Sequence, residues 1–263
     1  MSFAAYRSGI AKLSPLQLSF GFAVVQCLAA APIVLYGSDT YQSRGNTGNR
    51  VTRKIANLII YGPSALFAYY KSTGAADGTK IAKLLLAHFG KRAVELFVLK
   101  KHEKPNSKLP VPADDDQDSV PVKVVAVTSV FYSVGTYLIA TNALPMPAGI
   151  DYSQALFWMA EIGHSLHNYL LEQSTAADEA TCISRTSPSA GGLYRYIVAP
   201  HLLFDIIAWA GIALCAKQTH GYTQAALTAL LLGWEARKLG SQDGSSTSRS
   251  LGQKRWSLIP FVF

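Results

Sequence analysis

The sequence predicts an all-α, polytopic membrane protein with about seven transmembrane helices, forming a single membrane domain over residues 1–263. Hydrophobic residues make up 49% of the chain and charged residues 15%, whereas soluble domains carry about 25% charge. Several uncharged stretches approach the roughly 20 residues that cross a bilayer as a helix. The net charge of +8 is, in a membrane protein, more typical of loops on the cytosolic face than of nucleic-acid binding, so no nucleic-acid partner is expected.

The first predicted helix runs from Leu16 to Tyr36 and contains no charge. Arg7 and Lys12 precede it, but no clear small-residue cleavage site follows, so we expect a retained helix and not a removed signal peptide. The six other predicted helices are Ile55 to Tyr70, Ile81 to Leu99, Val124 to Ala143, Tyr152 to Leu171, Tyr196 to Ala216, and Tyr222 to Trp234 with a possible extension to Arg237.

Proline, glycine and cysteine residues add local detail to this prediction. Gly62-Pro63 lies inside the second helix and predicts a kink there. Two segments, Lys100 to Val122 with its prolines and acidic run, and Gly240 to Gln253 with its Ser and Gly, are predicted to be flexible. Three scattered cysteines (Cys27, Cys182, Cys215) are too few for a disulfide scaffold and lack the paired spacing of a zinc site.

Orientation follows from the basic residues. With seven helices, the side that holds the C-terminus has fifteen Lys and Arg in its connections, and the other side has six. The positive-inside rule then places the C-terminus in the cytosol or, in an organelle, in the matrix. The endoplasmic reticulum and the mitochondrial inner membrane are both compatible locations.

Three clusters of polar residues lie inside predicted helices, where charge is costly and usually faces a protein interior. Their spacing puts each cluster on one helix face. The third helix carries His88, Lys91, Arg92 and Glu95; the fifth carries His164, His167, Asn168 and Glu172; the sixth carries His201 and Asp205. Spacing alone leaves three interpretations: pairing between helices that stabilises the bundle, a buried site for an anionic cofactor, and a metal site, which we do not expect.

Three ordered segments match the motifs of one protein family. HFGKRAVELFV at 88–98 is similar to that family's HxxKRxxExLFV. GGLYRY at 191–196, followed by PHLLFDIIAWAG at 200–211, is similar to its GGLFxYVSxPHxxxEIIxWxG segment. LIPFVF at 258–263 is similar to its LIPFLF ending. Through these segments the chain resembles the trans-2-enoyl-CoA reductase branch of the steroid 5α-reductase family. The resemblance covers residues 55–263 and is strongest over 81–99 and 191–216.

The resemblance implies a seven-helix membrane fold that binds NADPH and reduces a carbon–carbon double bond conjugated to a carbonyl, in a steroid, polyprenol or fatty enoyl-CoA. It also implies a tyrosine or an acid that polarises the carbonyl oxygen. If NADPH binds, the matching positions for the cofactor are Arg92, His164, Asn168, Tyr169, His201 and Asp205.

The chain departs from the family at residues that carry chemistry. The glutamate that precedes a Pro-Ser pair in the steroid branch is Tyr61 here, and the tyrosine after the third-helix histidine is Phe89. Leu202 to Phe204 stand where the enoyl-CoA branch has tyrosines. Of the family's cofactor ligands on the fifth helix, an asparagine, an aspartate and an arginine correspond to His164, Asn168 and Thr175.

Two functions follow as hypotheses. The first is a non-catalytic membrane subunit, a pseudoenzyme that keeps the fold as a structural or lipid-binding component of a larger complex, with membrane lipids and other membrane subunits as partners; a mitochondrial respiratory complex is one candidate host. The alternative is an NADPH-dependent reductase of a conjugated lipid, with Tyr61 as the candidate proton donor.

Overall fold

The structure is a computed structural model that describes residues 50–74, 79–98, 119–142, 151–178 and 192–243. The first predicted helix, Leu16 to Tyr36, lies outside these residues. So do most of the predicted flexible segments and the C-terminal LIPFVF.

Six α-helices dominate the described residues and correspond to the second to seventh predicted helices. Their bounds are α1 Arg53–Ser72, α2 Thr79–Val98, α3 Val122–Asn142, α4 Tyr152–Asp178, α5 Pro200–Ala216 and α6 Thr219–Asp243. α1 runs through Pro63 as one helix. Mostly helical architecture is therefore confirmed.

Some helix boundaries were predicted wrongly. The fifth helix was expected to end at Leu171, but α4 continues to Asp178. The sixth helix was expected to begin at Tyr196, but α5 begins at Pro200, which occupies its first turn. Proline fixes a helical φ and lacks an N–H, so it suits the start of a helix and not its interior. The preceding residues instead form a short 3₁₀ helix, Gly192–Arg195, whose first residue has a positive φ of 57°.

Two segments predicted as flexible carry regular structure. α6 continues to Asp243, beyond the expected end at Arg237 and into the Ser- and Gly-rich segment. Ser119–Pro121, in the proline-rich connection, forms strand β2, which pairs antiparallel with β1, Arg50–Thr52. Three residues are too few to show the two-residue periodicity of a strand, so no pattern in the sequence predicted this pair.

The described helices alternate in direction. The β1–β2 pair holds the starts of α1 and α3 at the same end of the bundle. The turn between α5 and α6 lies at the opposite end, because Gln218 Nε2 there donates to Ile139 O near the end of α3, at 2.8 Å. α3 and α6 are therefore antiparallel neighbours. α4 and α5 are antiparallel too, because Gly211 lies against Phe157 and Phe204 lies against Gly163.

Membrane character is visible in part. Among the described helices, α3 is long and apolar enough to cross a bilayer, judged by length and composition, and α5 is apolar but has only 17 residues. The seven-span topology stays a prediction.

The core lies where α2, α4 and α5 meet. Trp209, Phe89 and Phe157 are almost completely buried there. α4 and α5 cross so closely that a Cβ on Gly211 would come within 2.9 Å of the Phe157 backbone nitrogen. This crossing fixes the spacing between the polar faces of α4 and α5, and so positions the site.

Candidate functional site

The charged faces of α2, α4 and α5 meet inside the bundle in one network, which we call the interior cluster. Its members are His88, Lys91, Arg92, Glu95, Glu161, His164, Ser165, Asn168 and Asp205. His88, Arg92, Glu161 and His164 are buried to less than 9% exposure. Burial of so many ionisable groups is tolerated only where they satisfy one another.

Glu161 is the centre of one half of the interior cluster. Its Oε1 lies 2.5 Å from His88 Nδ1, and its Oε2 accepts a hydrogen bond from Lys91 Nζ at 2.6 Å. Lys91 Nζ also donates to the Glu161 backbone oxygen at 2.6 Å. One carboxylate of α4 thus binds two residues that lie one turn apart on α2.

Arg92 is the centre of the other half. One guanidinium nitrogen contacts the His164 ring and the other donates to Asp205 Oδ1. Glu95 Oε2 lies 3.6 Å from Arg92, while Glu95 Oε1 accepts a hydrogen bond from Ser165 at 3.1 Å. α2 is therefore joined to both α4 and α5 through a single arginine.

Two histidines lie beside the interior cluster and hold the chain that precedes α5. His167 Nδ1 donates to Gly163 O at 2.8 Å, and its Nε2 accepts from Leu193 N–H at 3.4 Å. These partners require a neutral ring with its proton on Nδ1. His201 Nδ1 lies 3.2 Å from the Tyr194 hydroxyl. Both contacts support a role in holding the 3₁₀ helix.

Aromatic rings surround Phe89, which directly follows His88 of the interior cluster. Tyr132 stacks on Trp209 at 6.0 Å between ring centroids, and its ring lies 5.6 Å from that of Phe89. The Tyr61 ring lies 6.2 Å from Phe89 and 5.8 Å from Tyr132. Two phenols from α1 and α3 therefore flank the ring that replaces the family's third-helix tyrosine.

The structure brings together Arg92, His164, Asn168 and Asp205, four of the six residues predicted for a cofactor. His201 lies at their edge, with its ring 6.3 Å from that of His164. Tyr169 lies elsewhere: it is 51% exposed on the outer face of α4, and its hydroxyl accepts from Gln173 at 2.5 Å.

Sequence reasoning missed the role of Glu161. It did not group this residue with the other polar residues of the fifth predicted helix. Glu161 lies three residues before His164 and seven before Asn168, which is the spacing of one helix face. That pattern was the available signal. Tyr132 had no such signal, because its helix carries no cluster of charged residues.

The charges of the interior cluster bear on the fit of NADPH. Two cations, Lys91 and Arg92, face three acids: Lys91 lies within 4 Å of Glu95 and Glu161, and Arg92 within 4 Å of Glu95 and Asp205. With neutral histidines the cluster carries one net negative charge. Because both cations are already matched by acids, this arrangement fits an internal network better than a phosphate site. The cofactor roles of these residues stay predictions.

Metal binding finds no support in the described part of the chain, where no group of three or more His, Cys, Asp or Glu could hold an ion. Cys215 is buried and free.

The sequence model of the 3-oxo-5-alpha-steroid 4-dehydrogenase family matches residues 127–263, just over half of the chain. The chain belongs to this family. The match spans α3 to α6 and includes the segments at 191–211 and 258–263, while the motif on α2 lies before it. The family is membrane-associated. No curated protein matches the chain significantly.

Proposed function

We propose that the protein is a non-catalytic membrane subunit that keeps the helical scaffold of its family as a structural or lipid-binding component of a larger membrane complex. A respiratory complex of the mitochondrial inner membrane is one candidate host. The C-terminus lies on the cytosolic or matrix side.

The observation that carries this proposal is the self-pairing of the interior cluster. A site for a dinucleotide needs donors that stay available for its phosphates and amide. Here Arg92 is engaged by Asp205, His164 and Glu95, and Lys91 by Glu161 and Glu95. The same contacts join α2, α4 and α5, as a structural role requires.

The substitutions in the sequence point the same way. Phe89 is fully buried and carries no hydrogen-bond donor where the family's steroid branch has a tyrosine. His164, at the position of a family asparagine, is engaged by Arg92 and Asn168. The chain lacks hydrogen-bond donors that the family has, but it keeps packing residues such as Gly211 and Trp209. This combination favours a protein that retains the family's fold without its catalytic activity.

NADPH binding tests this proposal. The purified protein, or its native complex, is titrated with NADPH while thermal stabilisation is recorded. A scaffold gives no saturable shift up to millimolar cofactor, because each missing charged contact weakens binding by about 1.5–3 kcal/mol. Saturable binding in the low micromolar range that is abolished by Arg92→Ala or His201→Ala would instead establish a cofactor site.

A second function, reduction of a conjugated carbon–carbon double bond in a lipid with NADPH, is favoured by one specific observation. Tyr61 and Tyr132 flank the Phe89 ring, so a phenol hydroxyl is supplied from α1 or α3 near the place where the family's donor is missing. A hydroxyl there would polarise a carbonyl oxygen. This alternative requires both cofactor binding and turnover of an enoyl thioester or enone, lost in Tyr61→Phe and kept in Tyr137→Phe.

A further inference from the structure

Exposed tyrosines lie at one end of the described bundle, the end that holds the turn between α5 and α6. Each of them is at least 48% exposed, so its ring lies on the outside of the bundle. They come from four helices: α1 contributes two, and α3, α4 and α6 contribute one each. The set, which we call the tyrosine belt, consists of Tyr69, Tyr70, Tyr137, Tyr152 and Tyr222.

Contacts between the helices place the belt on α1, α3 and α6 at one level. The Phe67 ring lies 5.1 Å from that of Tyr137, so the last turn of α1 lies beside Tyr137. α6 runs antiparallel to α3, and Gln224 packs against Gly135. Tyr222 is therefore level with Tyr137, because each lies two residues from this contact in the direction of the same end.

Tyr152 reaches the same level on α4. Gly211 of α5 lies against Phe157 of α4. From this crossing, α4 extends five residues back to Tyr152, and α5 extends five residues forward to Ala216, toward the same end. Ala216 in turn lies against the residue that precedes Tyr222. The tyrosine belt therefore includes α4 as well as α1, α3 and α6.

Charged residues mark the level of the tyrosine belt as a boundary with water. Lys71 and Asp151 directly adjoin members of the belt, and Lys83 is exposed near the start of α2. From the belt toward the other end, α1 carries no charge until Lys54, and α3 none until Lys123. A charge inside hydrocarbon is costly, whereas a lysine at the membrane surface extends its ammonium group toward water and headgroups. Hydrocarbon therefore fits the zone below the belt and not the belt itself.

We propose that the tyrosine belt lies in the headgroup layer of the bilayer leaflet on the side of the α5–α6 turn, and that lipid headgroups cover it. A tyrosine suits this layer, because its ring is apolar while its hydroxyl hydrogen-bonds to water and to headgroups. The inference rests on the predicted multi-pass topology, and it applies equally to a subunit and to a reductase.

The distribution of the tyrosine belt favours lipid over a protein partner. α1 packs on α2 and α3, α3 on α6, α6 on α5, and α5 on α4, so the belt passes along several sides of the bundle. A single partner helix, or the predicted helix Leu16 to Tyr36 of this chain, would cover one of these sides and leave the others. Headgroups meet every side of a membrane protein at a common depth, which is how the tyrosines are arranged.

The side chains below the tyrosine belt agree with a zone of lipid tails. Val130 on α3 and Leu230 on α6 are 55% and 64% exposed. Val130 lies seven residues from Tyr137 and Leu230 eight from Tyr222, or about 10 and 12 Å along the helices. Exposed aromatic rings return at the opposite end of the bundle, at Tyr169, Tyr196 and Trp234. Aliphatic surface between two aromatic ends is typical of a surface that faces a bilayer.

Photoreactive phospholipids test the belt on the unmodified protein. Native membranes are supplied with phosphatidylcholine that carries a diazirine either in the headgroup or at the end of an acyl chain, and labelled residues are identified by mass spectrometry. We expect the headgroup probe to label Tyr137 and Tyr222, and the chain-end probe to label Val130 and Leu230. Equal labelling of both levels by either probe, or tyrosines that neither probe reaches, would overturn the proposal.

Spin labels on α6 separate the belt from the topology on which it rests. Cys27 and Cys182 are replaced by Ser, the buried Cys215 is kept, and a nitroxide is attached to Tyr222→Cys or to Leu230→Cys as its matched control. Accessibility to oxygen and to a water-soluble nickel chelate should place the first label among the headgroups and the second about 12 Å deeper. Equal depths inside the hydrocarbon would disprove the belt while the topology stands. Water at both positions would disprove the topology, and the belt with it.

Discussion

Asp205 and Arg92 show at the level of single residues what holds the interior together. Asp205 comes from α5 and Arg92 from α2, and each is the nearest charged partner of the other. Because α2 and α5 are separated by more than a hundred residues along the chain, their contact is specified by chemistry and not by local sequence. Loss of one partner leaves the other charge poorly matched.

We expect Asp205→Leu to lower the yield and the thermal unfolding midpoint of the purified protein. Loss of the carboxylate leaves Arg92 with a weaker set of acceptors, at a cost of about 1–3 kcal/mol. Asp205→Asn, which keeps the shape and one acceptor oxygen, should show a smaller loss. Wild-type yield and midpoint in Asp205→Leu would contradict a structural role for this pair.

The interior cluster was predictable only in part. Helical spacing correctly placed Lys91 and Arg92 on one face of α2 and His164 with Asn168 on one face of α4. Spacing cannot tell which faces meet in space, so the link from Arg92 to Asp205 was not foreseen. Tyr169 was included because of the family resemblance, which does not tell which side chains of α4 face the interior; it is 51% exposed.

At the level of elements, long runs of predominantly apolar residues predicted the six described helices well, and their ends less well. A span without charge is a strong signal because a charge inside a bilayer is costly. Ends are set instead by local chemistry such as Pro200 at the start of α5, and by pairing over long distances such as that of β1 with β2. Hydrophobicity averaged over a window of residues detects neither the proline at a helix start nor the pairing of two distant strands.

Gly211→Ala tests the close crossing of α4 and α5. The added Cβ would lie 2.9 Å from Phe157 N and 3.0 Å from Phe157 Cα. Backbone atoms cannot give way without moving α4, so we expect destabilisation of roughly 1–3 kcal/mol, seen as a lower thermal unfolding midpoint.

Gly62→Ala on α1 is the matched control. Its Cβ would meet only Leu58 Cδ1, at 3.9 Å. Alanine is favoured over glycine inside a helix by about 1 kcal/mol, so this variant should match or exceed the wild-type midpoint. Equal effects of the two substitutions would show that the α4–α5 crossing is not tight.

At the scale of the whole molecule, the described helices alternate in direction. This is the arrangement assumed when the basic residues of the connections are assigned to the two sides of the membrane. The β1–β2 pair and the end of α6 lie on one side of the described bundle, and the turn at Gln218 lies on the other. The counts of fifteen and six basic residues then predict which side faces the cytosol or matrix.

We expect a C-terminal tag and a cysteine at Thr219 to be accessible from opposite sides of the membrane. Thr219 is exposed at the start of α6. In sealed vesicles with Cys27 and Cys182 replaced by Ser, a protease on the cytosolic or matrix side should remove the tag, while an impermeant maleimide there should not label Thr219→Cys. Labelling of both from the same side would rule out the predicted topology.

The β1–β2 pair also has a consequence for biosynthesis. Its strands are separated by about 70 residues, which a ribosome adds in roughly 4–14 s at about 5–20 residues per second. During that interval β1 has emerged but its partner does not yet exist, so α1 and α2 must form as a helical hairpin without this constraint. Synthesis of β2 then closes a loop around the hairpin. The β1–β2 pair therefore forms late in synthesis and holds α3 beside α1 after the hairpin has formed.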